Sequence, residues 1–452
     1  MTIARSYEPR SGARPCILLI QVDCLSMASL GKHMASAPGP WQERTPNLNR
    51  LWQEGVKFAR YHAAAAGAAA AQAAMMTGLY AYQTFFMHGI DESTKNAAVP
   101  RLSNVPLPPE LSSDFPTYGK LLRAAGYDTF LLGAWPAFGA AKLNGADDAG
   151  DDAARTEPYG FSLLDWLTGS SARRISSRLA ACGDRPFCLS VCIPGKIAGA
   201  QGSCSDALAA LDRELDVIYS AIPATLSGDL ITVFTAARGS LPDDGAELEE
   251  ALHVPLIVHD ASERFVAEAG RLRNQLFSSV DLLPLLMSLA HLGNTEWLHE
   301  SPAWHLLYAR RGDLLACMLD ADAPGRQQVI YTTEEYTHGP VDGAAANRHV
   351  VGAVDGEGST RLHCCWRPGA TELVELAQQW RAHGDNNAGK HSAPPNKVLR
   401  RLFDEVIPFE LQANMPVALE PTREAARTSL LDYLAQLEMQ AVRGGSRTQG
   451  DS

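Results

Sequence analysis

The sequence predicts an α/β fold, in which a mixed, mostly parallel sheet flanked by helices precedes a smaller antiparallel C-terminal α+β subdomain. Continuous apolar runs such as CILLIQVD at residues 16–23 favour strands that are buried on both faces of a parallel sheet. Strand-like and helix-like segments alternate from about residue 16 to about residue 292, as they do when helices connect parallel strands. Beyond this stretch, short strand-like segments separated by Gly, Asn and Asp favour an antiparallel meander.

The segment RTPNLNRLWQEGV, which follows the first strand, predicts a helix. Thr45 stands in the position of an N-cap, and Pro46 stands at the first helical position, where its missing N–H leaves no hydrogen bond unmade. Leu48, Leu51 and Trp52 recur at positions i, i+3 and i+4, so they predict one buried helical face.

The later elements of the α/β region are predicted by the same two patterns. Amphipathic periodicity predicts three helices, at residues 115–127, 204–222 and 278–293. Gly126 is expected to end the first of these helices, because glycine accepts the left-handed backbone conformation found there. Apolar runs predict strands at residues 128–135, 229–239 and 253–260.

The C-terminal region has a different pattern, which predicts three short strands at residues 327–336, 347–356 and 360–368. A closing helix is predicted at residues 421–442. We therefore divide the chain into an α/β core at residues 1–320, an α+β subdomain at 321–440, and a polar tail at 441–452 that is expected to be disordered.

The composition indicates an acidic globular protein. The 452 residues include 39 Lys and Arg against 51 Asp and Glu, a net charge of −12 that offers no long-range attraction to nucleic acid or to an anionic membrane. No apolar window approaches the ~18 residues of a membrane span, and the N-terminus does not resemble a signal peptide. The nine cysteines show no regular framework. We therefore expect a cytoplasmic location.

Eight segments, taken in order, resemble the sulfatase family of the alkaline phosphatase superfamily. They span roughly residues 15–415 and read ILLIQVDCLSMASLG, TPNLNRLWQEGVKF, MMTGLYAYQTFFMHG, LPPELSSDFPTYGKLLRAAGYDTFLLGAW, LITVFTAARG, LEEALHVPLIV, SVDLLPLLMSLA and LFDEVIPFELQANM. The resemblance implies a divalent metal, usually calcium, held by oxygen ligands. It also implies a Cys or Ser converted to formylglycine, which attacks a sulfate or phosphate ester with help from Lys, His and Arg.

The nucleophile motif of the family, Cys/Ser-x-Pro-Ser-Arg, falls on a run of alanines between His62 and Met75. The resemblance places the nucleophile at Ala68, the Pro and Ser at Ala70 and Ala71, and the Arg at Gln72. A methyl group can be neither oxidised to an aldehyde nor used to attack an ester. Because alanine is the best helix former, we expect the helix of this motif to persist without its reactive groups.

The metal and proton-transfer positions are also changed. Asp23 is retained at the first metal-ligand loop and is followed by Cys24, whereas the second acidic ligand and its neighbour have become Ala237 and Arg238.

The family's Gly-Lys-Trp-His motif has Ala134 in place of Lys and Pro136 in place of His. Lys196 is nearest to the place of a substrate-site His, and His253 replaces an Arg. Calcium and formylglycine are therefore expected to be absent. Asp23 is the only surviving metal-ligand candidate, and we expect it either to cap a turn or to pair with Arg238 in place of the metal.

Three hypotheses about function remain open. The first is a non-catalytic protein that binds a small anionic ligand or a protein partner, as a homo-oligomer or in a complex with an active paralogue. The second is an enzyme with a rebuilt site, for which the available groups are Asp23, Cys24, Lys196, Arg238 and His253.

The third hypothesis is an active sulfatase whose nucleophile is Thr77 or Thr84. An open pocket with convergent titratable groups would favour the second hypothesis, whereas a site closed on alanine methyls would favour the first.

Overall fold

The computed structural model describes sixteen stretches of the chain. They are residues 13–35, 43–84, 101–102, 105–106, 110–133, 135–138, 155–165, 171–194, 204–239, 252–265, 270–300, 302–308, 311–336, 347–355, 358–366 and 373–382. The predicted closing helix and polar tail lie outside the described residues, as do Ala134 and Lys196.

An eight-stranded sheet forms the centre of the molecule, with strand order β10-β2-β9-β8-β1-β7-β5-β6. Strand β9 is antiparallel to both of its neighbours, and every other pair in this sheet is parallel, which confirms the predicted mixed, mostly parallel sheet. The strands up to this point, including a short β3–β4 pair, are β1 Cys16–Cys24, β2 Val56–His62, β3 Arg101–Leu102, β4 Val105–Pro106, β5 Asp128–Gly133, β6 Ser162–Asp165, β7 Phe187–Ile193, β8 Leu230–Arg238, β9 Leu256–Asp260 and β10 Leu272–Ser278.

A four-stranded antiparallel sheet follows, in the order β11-β12-β13-β14. Its strands are β11 Gln328–Tyr336, β12 Asn347–Asp355, β13 Gly358–Trp366 and β14 Leu373–Ala382. The predicted meander is confirmed for the first three strands. Strand β14 was not predicted from the sequence, and neither was β10, because the charged and polar residues of LRNQLFS interrupt the apolar run that marks the other parallel strands.

The helices of the α/β region lie in two layers. The helices are α1 Met27–Ala35, α2 Pro46–Glu54, α3 Ala68–Thr77, α4 Ala81–Thr84, α5 Tyr118–Ala124, α6 Ser171–Ala181, α7 Cys204–Ala221, α8 Ala224–Ser227, α9 Leu282–Ala290, α10 Pro302–Tyr308 and α11 Leu314–Leu319. Helix α7 contacts α2 and α6, whereas α3, α5 and α9 contact one another, as right-handed crossovers to opposite sides of the sheet require. No helix in the described part of the chain is long and apolar enough to span a membrane.

The start of α2 corrects one detail of the sequence prediction. Thr45 occupies the N-cap position, but its side chain makes no capping hydrogen bond. The buried carboxylate of Asp212, on α7, takes this role by accepting from Leu48 N at 2.7 Å and from Asn47 Nδ2 at 3.1 Å. Burial raises the pKa of Asp212 above its ordinary value. A tertiary contact between helices has thus replaced the local cap.

Candidate functional site

The neighbouring parallel strands β1 and β8 end at the same edge of the main sheet, with Cys24 in register with Arg238. The carboxyl edge of a parallel sheet is where α/β proteins place ligands. The strand ends bring together Asp23, Cys24, Ala237 and Arg238, the residues that the family resemblance assigns to the metal-ligand positions.

Asp23 and Arg238 form an ion pair, with Oδ2 and Nη2 separated by 3.6 Å. The pairing predicted from the sequence is therefore present. Both side chains are mostly buried, with 27% of Asp23 and 18% of Arg238 exposed. The pair uses one nitrogen of the guanidinium, and Arg238 Nε is buried with no hydrogen-bond partner among the described residues.

Helix α3 contains most of the alanine run and begins at the position matched to the family nucleophile. Ala68 is its first residue and is half-buried, while Gly67 at the N-cap is exposed and supplies no side-chain cap. Every later residue of the helix is buried. Gly78 ends the helix with φ 64° and donates its N–H to Ala74 O at 2.9 Å, which confirms a helix that needs no reactive side chain to form.

Four alanines form a closed cluster where α3 meets the end of β8. The cluster consists of Ala65, Ala70, Ala71 and Ala237, and each side chain is at most 3% exposed. Two of the positions matched to the nucleophile motif, Ala70 and Ala71, are thus packed with Ala237, the position matched to a metal ligand. Ala68, which the resemblance matches to the nucleophile itself, lies outside this cluster.

Gln72 stands where the resemblance implies an arginine. Its side chain is only 1% exposed. Its Oε1 accepts from Ala137 N at 3.0 Å, and its Nε2 donates to Cys192 Sγ at 3.7 Å. The neutral amide thereby ties α3 to the 3₁₀ turn Pro136–Phe138 and to the end of β7. Gln72 has a structural contact but brings no charge.

Cys24 is the one partly exposed thiol among the cysteines that the structure describes in detail. Its Sγ donates to Gly239 O at 3.0 Å. The other such thiols are buried, and burial raises their pKa, so they are expected to stay protonated and unreactive. These thiols belong to Cys16, Cys182, Cys188, Cys192 and Cys317.

The ring of His253 contacts the backbone of β2 and the ring of His62. Its Nε2 faces Ala59 O at 2.6 Å, so this nitrogen carries a proton. The ring stacks on that of buried His62, with centroids 5.1 Å apart and an interplanar angle of 13°. The backbone of His253 also accepts from Met27 N at 2.9 Å. Both histidines therefore join β2 to the segments that enter β9 and α1, which is a structural role.

The hydroxyls considered as alternative nucleophiles point into the protein. Thr77 Oγ1 donates to Ala73 O at 2.8 Å, and Thr84 Oγ1 donates to Ala81 O at 3.2 Å. Neither residue is more than 1% exposed. A hydroxyl that is buried and bonded to a helical carbonyl cannot reach an ester without unfolding its helix.

The donor set at the strand ends does not fit a divalent cation. Asp23 supplies a carboxylate, but the cation of Arg238 already neutralises it. Ca²⁺ requires about six to eight oxygen ligands. Across the described ranges, no group of three His, Cys, Asp or Glu side chains is arranged to hold a metal ion.

At the opposite end of α3 the structure reveals a buried polar cluster that the sequence analysis did not identify. The carboxylate of Asp281 is 0% exposed and accepts from Ser278 N at 2.9 Å and from Gly312 N at 2.7 Å. Arg326 also donates two hydrogen bonds to this carboxylate, from Nε to Oδ2 at 2.7 Å and from Nη2 to Oδ1 at 2.5 Å. The local Ser-x-x-Asp pattern indicates a turn, but nothing in the sequence marks the distant arginine.

Two further side chains donate hydrogen bonds to the last carbonyl groups at the C-terminal end of α3. Tyr308 OH donates to Thr77 O at 2.8 Å, and Arg311 Nε donates to Gly78 O at 3.0 Å. The guanidinium of Arg311 also lies 5.0 Å from the ring centroid of Tyr80. We call Asp281, Tyr308, Arg311 and Arg326 the polar clamp.

Comparison with known proteins identifies the N-terminal part of this architecture. Residues 15–173 match the family model described as Sulfatase. Human arylsulfatase D is 30% identical over 135 residues, which are 29% of this chain and 21% of that protein. Rat steryl-sulfatase is 35% identical over 127 residues, which are 28% of this chain and 20% of that protein. The chain therefore matches about a fifth of the length of these curated relatives.

The similarity to solved structures extends further along the chain. A phosphonate monoester hydrolase from Silicibacter pomeroyi superimposes with a TM-score of 0.56 and covers 90% of this chain and 97% of its own. Its sequence identity is 14%, so the comparison shows a shared fold and no more. The structural comparison confirms the predicted fold, and the family model confirms the resemblance over residues 15–173.

Proposed function

We propose that this chain, a sulfatase-like protein with the alkaline phosphatase superfamily fold, does not hydrolyse sulfate esters. Its role is to bind a small anionic ligand or a protein partner, and so to act in regulation or as a scaffold. Substrates and activities of the relatives named above are not assigned to it.

One observation carries the proposal, the closed methyl cluster of Ala65, Ala70, Ala71 and Ala237. The groups that a hydrolase needs at this place must be polar and must face a reacting ester. Four methyls packed to at most 3% exposure can do neither. This is the arrangement that the sequence analysis set as favouring a non-catalytic protein.

The charge at the same edge supports an anionic ligand. Arg238 is a permanent cation whose side chain is 18% exposed, and its contact with Asp23 is made by Nη2 at 3.6 Å. A guanidinium can donate two parallel hydrogen bonds to a carboxylate, sulfate or phosphate group. In this arrangement Arg238 supplies the positive charge at the strand ends, and we expect neither bound calcium nor formylglycine.

The test uses the purified full-length protein with and without added Ca²⁺. We expect no turnover of aryl sulfates or phosphate diesters, no mass change at Ala68, and a melting temperature that calcium does not alter. The matched variant is Asp23→Asn, which removes the retained carboxylate charge. Turnover that persists through purification and falls in Asp23→Asn would overturn the proposal.

A second function has one observation in its favour, since Asp23, Cys24 and Arg238 do converge at a partly open edge. In this alternative the chain is an enzyme that acts on an ester or other anionic substrate through a rebuilt site. Cys24 would be its nucleophile, and Arg238 would hold the anionic group. Labelling of Cys24 by a thiol reagent that competes with a substrate ester, and loss of turnover in Cys24→Ser, would favour it.

A further inference from the structure

Two histidines on the surface of the α/β region lie side by side. His299 ends the 3₁₀ helix Glu296–His299, and His305 lies on α10. Both side chains are exposed, and their ring centroids are 5.0 Å apart with an interplanar angle of 26°. Because both side chains are exposed, their ring nitrogens are accessible to a ligand from solvent.

The separation of these rings matches that of two imidazoles on one metal ion. Zinc binds imidazole nitrogen at about 2.0–2.1 Å with tetrahedral geometry, which places the centroids of two bound rings about 5 Å apart. The buried pair His62–His253 has nearly the same spacing, 5.1 Å. There, however, ring nitrogens face the backbone carbonyls of Arg60 and Ala59, so the spacing alone does not make a ligand pair.

A third ligand is available on the same turn as His299. In a 3₁₀ helix the side chains at i and i+3 are eclipsed, so Glu296 and His299 project from the same side. Glu296 is exposed and can change rotamer at little cost. The described side chains do not already form a three-ligand cluster, so the third ligand must move on binding.

We propose that His299, His305 and Glu296 form a surface site for a zinc-class transition-metal ion. Two imidazoles and one carboxylate suit Zn²⁺, Co²⁺ or Ni²⁺ and disfavour the hard cation Ca²⁺. The site lies apart from the strand ends, and the inference does not rest on the function proposed above. Because one ligand must reorient and the rest of the coordination is water, micromolar affinity is expected.

The position of the site also gives binding a measurable consequence. His305 and Tyr308 are on the same helix, α10, and Tyr308 holds the last carbonyl of α3. A metal ion that joins α10 to the preceding 3₁₀ turn binds the folded state more tightly than the unfolded chain, where the two histidines are not held together. It must therefore raise the melting temperature in proportion to the logarithm of metal concentration above the dissociation constant.

The experiment is calorimetric titration of tag-free, chelator-treated full-length protein with Zn²⁺, and separately with Ca²⁺. We expect one zinc site per chain and no heat from calcium here. His299→Ala and His305→Ala should each weaken zinc binding at least tenfold, and Glu296→Gln should weaken it less. His259→Ala is the matched control, because it removes an imidazole that already pairs with Glu54, and it should leave zinc binding unchanged.

Cobalt provides an independent measurement. Replacement of zinc by Co²⁺ should give visible absorption bands that the two histidine variants lose while retaining the circular dichroism of the parent. Zinc binding that survives both histidine variants, or no zinc binding below about 100 μM, would overturn the proposal. Calcium binding that survives the histidine variants would instead count against the function proposed for the strand ends, so the two failures are distinguishable.

Discussion

The two ends of helix α3 differ in almost every physical respect. Its N-terminal end has no side-chain cap and packs Ala70 and Ala71 against Ala237, with no polar contact in that cluster. Its C-terminal end is held by the polar clamp, in which a tyrosine and an arginine bind the last carbonyls and a buried aspartate lies nearby. The same ten-residue helix thus combines an end without reactive groups and an end with a dense hydrogen-bond network.

The difference shows that packing and chemistry are specified by different side chains. Alanine forms helix better than any other residue, so the N-terminal end keeps its helical backbone without polar side chains. The clamp could not be simplified in the same way. A buried carboxylate or carbonyl that loses its partner costs free energy that methyl packing does not return.

The largest expected effect is at the clamp. Asp281→Ala removes the carboxylate that accepts two backbone N–H groups and forms the ion pair with the mostly buried cation of Arg326. We expect a loss of about 3–5 kcal/mol in the free energy of unfolding, measured by urea denaturation.

The matched control for this change is Asp206→Ala. Asp206 pairs with Arg44 on the surface, where both side chains are more than half exposed, so its loss should cost at most about 1 kcal/mol. Equal effects of the two substitutions would show that the clamp does not stabilise the fold.

The next largest effect is expected at the N-terminal end of α3, where two alanines one helical turn apart differ in burial. Ala71→Ser puts a hydroxyl into the methyl cluster, where the side chain is 1% exposed, and we expect a loss of about 1–2 kcal/mol. Ala68→Ser makes the same chemical change at a half-buried position in the first turn and should be close to neutral. Thermal melts of both variants measure the difference, and equal melting temperatures would mean that the cluster is open to water.

The smallest effect is expected at the strand ends. Asp23→Ala removes an ion pair that is made at 3.6 Å by one nitrogen and is partly exposed to solvent. After allowance for solvent screening, we expect a loss of at most about 1 kcal/mol in the free energy of unfolding. A loss as large as that of Asp281→Ala would show that Arg238 is a buried charge that depends on Asp23 for the stability of the fold.

Much of the architecture could be predicted from local pattern. Apolar runs identified strands β1, β5, β8 and β9. The family resemblance, which places Asp23 and Arg238 at neighbouring metal-ligand positions, predicted that these two side chains would pair. Strand β10 was missed because it lies at the edge of the sheet, where polar residues break the apolar run. Edge strands face solvent, so their sequences carry less of the signal.

Other contacts between distant segments could not be predicted. Asp212 replaces Thr45 as the cap of α2, although the two residues are far apart in the sequence. Arg326 meets Asp281 across 45 residues, and Gln72 meets Ala137 across 65. Each pair depends on how crossovers bring helices and loops together, and a single sequence contains no local sign of that.

The sequence alone determined the fold class, the alanine identity of helix α3 and the absence of a nucleophile at Ala68, because each depends on residue type and short-range periodicity. Only the tertiary structure decided that the alanines close against Ala237, that the ring of His253 stacks on His62 and faces Ala59 O, and that a polar clamp holds the far end of the same helix. These depend on side chains that the fold brings together from distant strands, where burial decides whether a polar group must find a partner.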